Sequence, residues 1–219
     1  MTRVLPVKPP RPVAIEVLEG LAAMPTSIVS DVSGGRLLLD PQIRPLRPLE
    51  ERRHFGNAVT AWCEPADIGA AIHAIEIAGP GDIVVIDAGG NCQTAVVGEH
   101  VCGAARRRGI SCVIIDGAAR DIASIIAWPD FTLFVRGRTA RGPVSIARGT
   151  VNEPITCGNV AVKPGDLIVA DDDGVIAVPR EDAEHWFARS VEKLTLEQGW
   201  DRRLSAGESM LDVFGLRGE

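Results

Sequence analysis

The chain has 219 residues, 46% of them hydrophobic, a net charge of −6 and an isoelectric point near 5.3. That is enough apolar side chain for one full core and fits a single domain, while an acidic chain lacks the positive field that phosphate neutralisation demands of a nucleic-acid binder. The opening MTRVLPVKPPRPV has no apolar run of signal-peptide length, and no later segment approaches the ~20 uninterrupted apolar residues of a membrane span. A cytoplasmic protein with neither membrane nor nucleic acid as partner is expected.

In chain order, residues 1–14 read as an extended, proline-rich arm, and Ile15 to Met24 has helical spacing that stops before Pro25. Thr26-Ser27-Ile28-Val29-Ser30-Asp31 offers helix-capping chemistry, with Asp31 read as a cap or turn residue. A second helix is predicted from Glu64-Pro65-Ala66-Asp67 through Ile68, Ile72 and Ile75, ending at Gly79-Pro80-Gly81, and His73 on it is read as structural.

The pattern then changes to short, β-branched apolar runs that predict buried strands: Ile83–Ile86, Cys112–Ile115, Leu133–Val135, Leu167–Ala170 and Val175–Val178. Between the first two, a helix carries Val101, Ala104 and Ala105 inward and Arg106-Arg107-Arg108 outward, and ends at Gly109, which completes a βαβ unit. The three arginines are read as a solvated last turn that complements the helix dipole. Pro80-Gly81-Asp82 and the strand to Asp87 are echoed by Pro164-Gly165-Asp166 and the strand to Asp171, which suggests pseudo-symmetric halves, the later one β-rich. Residues 181–198 predict a terminal helix, and 200–219 a tail that docks on a neighbouring subunit through Leu211, Val213 and Phe214. An α/β layered sandwich is the expected fold class, with the domain spanning 15–199.

Chemistry-bearing residues are densest between 87 and 121. A strand ending in Asp87 leads into Ala88-Gly89-Gly90-Asn91, a loop whose glycines would let backbone approach a ligand. Gly98-Glu99 opens the next helix, where free amides of Glu99, His100 and Val101 can receive a carboxylate or enolate oxygen. The second strand is read as ending at the turn pair Asp116-Gly117, after which the chain reaches Arg120-Asp121. Ligands of open α/β sheets gather outside the carboxyl ends of strands, so both loops are expected to meet at one crevice.

Twenty residues separate Gly98-Glu99 from Arg120-Asp121. This spacing resembles the Gly-acidic-x20-Arg-Asp motif of class II 4-hydroxy-4-methyl-2-oxoglutarate and 4-carboxy-4-hydroxy-2-oxoadipate aldolases. The likeness runs from about Thr26 to Glu181 and includes Arg136-Gly137 to Arg141-Gly142-Pro143 and Pro164-Gly165-Asp166 to Asp173-Gly174-Val175, which resemble the wider RraA-like family. The resemblance implies a β/β/α sandwich with N- and C-terminal helices, assembled as a homotrimer or homohexamer. It further implies Mg2+ or Mn2+ held directly by Asp121 and through water by Glu99, with Glu99 serving in proton transfer. Arg120 would bind a small 2-oxo acid substrate and stabilise its enolate, and Gly98 and the amides of His100 and Val101 would hold the substrate carboxylate. Glu197 is the candidate for an acidic residue supplied by the adjacent subunit. His100 stands where the family usually has an aliphatic residue, which bears on substrate preference because only the backbone is needed there.

The implied reaction is cleavage of a 4-hydroxy-2-oxo di- or tricarboxylic acid to pyruvate and a second 2-oxo acid, with oxaloacetate decarboxylation as a side activity. A dication and a guanidinium meet the needs of a developing pyruvate enolate. Lys163 reads as solvent-exposed, which disfavours a Schiff-base mechanism. His54 and His185, in polar helix-flanking contexts, read as structural or surface residues, and Cys63, Cys92, Cys102, Cys112 and Cys157 as reduced thiols packing as small hydrophobes. Two competing readings remain open: a nucleotide-cofactor enzyme built on Asp87-Ala88-Gly89-Gly90, which lacks the third glycine of that fingerprint, and a non-catalytic RraA-like regulator that binds a ribonuclease.

Overall fold

The computed structural model describes residues 1–6 and 11–217. In chain order the elements are β1 (Arg3–Val4), α1 (Ile15–Ala23), α2 (Thr26–Ser33), β2 (Arg44–Pro45), β3 (His54–Trp62), α3 (Gly69–Ile77), β4 (Asp82–Val97), α4 (Glu99–Arg107), β5 (Cys112–Ala119), α5 (Ile122–Ile126), β6 (Thr132–Arg138), β7 (Thr150–Val151), β8 (Ile155–Cys157), β9 (Val160–Val162), β10 (Leu167–Ala170), β11 (Val175–Val178), α6 (Ala183–Ser205) and α7 (Met210–Val213). Every strand predicted from an apolar run forms, and β4, β5 and β6 pair in parallel with α4 as a crossover. Gly109, at φ +79°, takes the left-handed position that stops α4.

The nine-stranded sheet runs β1-β7-β3-β4-β5-β6-β2, with β10 added to β3 and β11 to β10. Strand alternation shows why the runs are apolar throughout. Val84, Ile86, Val113 and Ile115 face a core under α3, α4 and α5, while Ile83, Val85, Cys112 and Ile114 face a second core shared with Ile168, Ala170, Val175 and Ala177. The reverse faces of β10 and β11 (Leu167, Val169, Ile176, Val178) form a third core with Leu21, Ile28 and Val29 of α1 and α2 and with α6. Two β layers therefore pack face to face between helical layers. β3 links them, pairing in parallel with β4 through residues 57–62 and antiparallel with β10 through residues 54–57.

The internal echo is local. Gly81 and Gly165 share φ +86°, Asp82 and Asp166 each accept the N–H three residues earlier, and Asp87 and Asp171 each accept the N–H two residues later. The strands they frame are not related as halves: β4 lies parallel to β3 beside a crossover helix, whereas β10 is antiparallel and closes a hairpin with β11. The same turn chemistry launches strands into different neighbourhoods because pairing is set by what each strand meets.

Several local expectations are corrected. β3 was not anticipated, and His54 lies within it, buried and bonded to Thr132 Oγ1 at 2.7 Å, rather than flanking a helix. Thr26 opens α2 but caps nothing with its own side chain; its N–H and hydroxyl bond the Asp171 carboxylate. Asp31 sits inside α2 and pairs with Lys193 of α6 at 3.2 Å. α3 begins at Gly69, with Asp67 accepting its N–H, so the Glu64–Ile68 stretch lies outside the helix. Part of the arm, Arg3–Val4, pairs with β7 at the sheet edge. α6 runs through the boundary at 199, and Val213 of the tail is buried within its own chain. The arginines of α4 are more than a solvated turn: Arg106 pairs with Asp130 at 2.7 Å, and Arg108 bonds the Ala78 carbonyl. Lys163 is exposed, as expected, and pairs with Glu181. Cys63, Cys102, Cys112 and Cys157 are buried and all five thiols are free. Among the described residues no helix is long and apolar enough to cross a membrane.

Candidate active site

Two strand extensions build the site. β5 does not end at Asp116-Gly117; it continues to Ala119, and Asp116 is held inside it by Arg136 at 2.5 Å. β4 likewise continues through bulges at 87–97 instead of opening into a loop after Gly89-Gly90, so no helix starts there as a nucleotide fingerprint would require. Val97 pairs with Ala119, and the Arg120 N–H donates to the Val97 carbonyl at 3.1 Å, which fixes both chain exits side by side. Gly98-Glu99 and Arg120-Asp121 thus leave adjacent strands at the same point.

Asp121 adopts left-handed backbone geometry (φ +58°, ψ 37°), which is uncommon for a residue with a Cβ but tolerated by Asp. This turn directs its carboxylate at the N-terminus of α4: Oδ2 accepts the Glu99 N–H at 3.1 Å and lies 3.6 Å from Arg120 Nε. A carboxylate at the positive end of a helix is favoured by the orphan amides and the macrodipole. The Glu99 amide, expected to be free for substrate, is therefore occupied by Asp121. The first intrahelical bond is from Cys102 N–H to Gly98 C=O, leaving the His100 and Val101 amides without an intrahelical acceptor.

Gly98 permits this contact by having no side chain. Its backbone is extended (φ −149°), so any residue could adopt the conformation, but a Cβ there would fall 2.4 Å from Asp121 Oδ2 and 3.0 Å from Arg120 Cγ. Gly142 faces the tip of the same side chain, where a Cβ would fall 2.5 Å from Arg120 Nη1. Arg120 is thus met by two glycines, one from the α4 approach at its stem and one from the 139–149 segment at its guanidinium.

That segment is itself anchored. Asp67, fully buried, accepts the N–H groups of Gly69 at 2.8 Å, Arg148 at 3.1 Å and Ala147 at 3.2 Å. Burial acts to raise its carboxyl, but the Ser145 side chain and these amides outweigh it and hold the group down at about 2. The Arg141 carbonyl accepts the Ala95 N–H at 2.9 Å, fastening the segment to β4.

Arg120 and Asp121, both partly exposed, border an open cleft of about 430 Å³ with Ile122, Arg138 and Thr139. A larger, mainly apolar cavity of about 620 Å³ lies by the amino ends of β3 and β4, lined by Leu5, Asn57, Ile77 and Gly165, with no cation in its wall among the described residues. The Glu99 side chain is exposed at the first turn of α4. Glu197 stands elsewhere in the chain, on α6, paired with Lys193 at 3.0 Å. Among the described residues no three His, Cys, Asp or Glu side chains converge as metal ligands, so the site offers a cation one hard oxygen donor group, Asp121, and not a cage.

A second, partly buried charged cluster has little signal in the sequence. Arg136 bridges Asp116 and Asp40 and also bonds Gln42, while Asp116 Oδ2 accepts the Gly158 N–H. Asp87 lies beside it in register with Asp116, its carboxyl raised by burial and by the Asp116 charge. This network ties the loop after α2, β6 and the β8–β9 turn together. Its only advance signal was a carboxylate ending each apolar run.

Residues 26–177 match the family described as RraA-like: Aldolase/RraA. A protein of Halalkalibacterium halodurans named "putative 4-hydroxy-4-methyl-2-oxoglutarate aldolase" is 36% identical over 191 residues, covering 87% of this chain and 90% of that one. Among solved structures, an uncharacterized protein from Pseudomonas syringae pv. tomato superposes with TM-score 0.79 at 26% identity, over 97% of this chain and 98% of that one. The RNA-processing inhibitor RraA from Thermus thermophilis superposes with TM-score 0.63 at 25% identity, over 71% and 92%. With the two strand exits, the capped α4 and the doubly layered sheet in place, the chain belongs to the RraA-like family.

Proposed function

We propose that this protein is a divalent-metal-dependent lyase that breaks the C3–C4 bond of a 4-hydroxy-2-oxo di- or tricarboxylic acid, yielding pyruvate and a second 2-oxo acid, and that it decarboxylates oxaloacetate through the same enolate. The observation that carries this reading is the seating of the Asp121 carboxylate on the first amide of α4, beside the Arg120 guanidinium, where Arg120 and Asp121 border an open cleft. The relative named an aldolase supports it.

The donor set fits Mg2+ or Mn2+. These ions retain several waters and need only one or two carboxylates, whereas zinc requires three or four protein ligands. Asp121 would bind the ion directly and Glu99 through water; when bound, the ion supplies Lewis-acid polarisation of the 2-oxo group. The chain's own residues do the rest. The His100 and Val101 amides receive the substrate carboxylate at the helix N-terminus. Arg120, which Gly98 and Gly142 approach closely, presents its guanidinium where negative charge develops on the former carbonyl oxygen. As the C4 hydroxyl loses its proton, the C3–C4 electron pair passes to C3, and C3 is then protonated, with Glu99 moving the proton. In a homotrimer or homohexamer, Glu197 of the partner subunit completes the acidic set.

The test is pyruvate release from oxaloacetate after EDTA treatment and again after Mg2+ addition, each corrected for metal alone. Release should vanish with EDTA, return with Mg2+ and be absent in Asp121→Ala. Full activity in Asp121→Ala would refute the assignment. The likeness to the RNA-processing inhibitor favours one second reading, a non-catalytic regulator that binds a ribonuclease; wild-type protein that releases no pyruvate above the metal control, yet inhibits a ribonuclease, would establish it instead.

A further inference from the structure

Two arginines stand two residues apart at the end of β6, and they differ in what they touch. Arg136 is consumed by Asp116, Asp40 and Gln42. Arg138, the last residue of β6, is exposed and borders the same cleft as Arg120 and Asp121. Its register partner is Ala119, the residue immediately before Arg120, so the two guanidinium-bearing residues leave neighbouring strands side by side. Arg138 has one weak tether, from Nη2 to the Leu46 carbonyl at 3.4 Å, and no carboxylate within ion-pair distance among the described residues. In a chain of net charge −6, a guanidinium lacking a counter-ion in a concave site is an electrostatic opening for an anion. Thr139, next along the chain, adds a hydroxyl to the same wall.

We propose that Arg138 is the specificity-determining residue that binds the carboxylate on the C4 side of the substrate, beyond the bond that breaks. This rests on the proposed aldolase reading, in which Arg120, the α4 amides and Asp121 already engage the 2-oxo acid end. Arg138 then selects substrates whose second fragment departs as a 2-oxo acid over those whose second fragment departs as a neutral aldehyde or ketone. It takes no part in the electron movement; it anchors the far end by a charged, fork-shaped contact.

The experiment compares wild type, Arg138→Met and Arg138→Lys with Mg2+ present. The first readout is kcat/KM for 4-hydroxy-4-methyl-2-oxoglutarate against 4-hydroxy-2-oxopentanoate, which lacks the distal carboxylate. The second, independent of turnover, is calorimetric binding of 2-oxoglutarate against 2-oxobutyrate. Arg138→Met should lower the preference for the carboxylate-bearing partner roughly 10- to 100-fold in both readouts, the worth of one charged hydrogen-bonded contact, with Arg138→Lys recovering part of it. An equal loss on both compounds, or no loss, overturns the proposal. If wild type binds but turns over neither compound, the aldolase reading fails while the binding ratio still decides the role of Arg138.

Discussion

Asp67→Ala is expected to cost about 3 kcal/mol of folding stability and to disturb the cleft that Asp67 never touches. Its carboxylate accepts three backbone N–H groups, from Gly69, Ala147 and Arg148. Gly69 is buried, so its amide would lose its partner at a cost of about 1–3 kcal/mol, whereas Ala147 and Arg148 are exposed enough for water to replace much of what they lose. A second route to the magnitude agrees: a carboxyl held at about 2 rather than its ordinary 3.8 reflects a preference for the charged form of about 2 kcal/mol. Because the folded-state value is lowered, this stabilisation is complete above about pH 4 and is lost as pH falls through 2. Urea unfolding followed by far-UV circular dichroism at pH 7 should therefore show the deficit, with a melting-temperature drop of about 6–12 °C for a chain of this size. Asp67→Asn should do little better, since its NH2 group would face N–H donors on one side. The 139–149 segment carries Gly142 against Arg120, so turnover should fall further than the unfolded fraction explains. A loss below about 1 kcal/mol in Asp67→Ala would refute the claim that this carboxylate anchors the segment.

Gly98→Ala should lower metal-dependent pyruvate release by about 100-fold or more while leaving the melting temperature within a few degrees, because its Cβ displaces Asp121 Oδ2 and Arg120 without straining the backbone; near-normal turnover would show that their position is unimportant. His54 is pushed down to about 4 by burial, reinforced by the Arg52 charge. The unfolded chain therefore takes up its proton first, and stability should decline as pH falls from about 6.5 to 4; His54→Gln should flatten that part of the pH–stability curve measured by urea unfolding. Thiol titration should find Cys92 reactive in the folded protein and all five cysteines after denaturation, since burial pushes Cys63 and Cys102 up to about 12; rapid reaction of more than one native thiol would contradict the packing. Lys163→Ala should leave pyruvate release essentially unchanged, as its ammonium is exposed and paired with Glu181 away from the cleft; a large loss would reopen a Schiff-base route.

The legible parts of this protein are those where a local pattern has one physical outcome. Three or four consecutive apolar residues rich in β-branched side chains suit a strand buried on both faces, and β4, β5, β6, β10 and β11 begin within one residue of those runs. β3 escaped because its polar start, His54 to Asn57, is apolar only through its setting: His54 is satisfied by Thr132, a residue distant in sequence. The Asp116-Gly117 pair has the chemistry of a turn, yet Arg136 neutralises the carboxylate and lets the strand run on to Ala119.

The sequence by itself determined the strand runs, the α4 crossover and the spacing that marked Gly98-Glu99 and Arg120-Asp121, because propensity and periodicity act between near neighbours along the chain. Tertiary structure alone decided that Asp121 caps α4, that Gly142 closes on Arg120, that Asp67 anchors the segment carrying Gly142, and that Arg138 borders the cleft while Arg136 is neutralised. Each of these depends on pairing between groups brought together by strand register, and the strength of a charge or hydrogen bond is set by the partners and burial it finds in the folded chain.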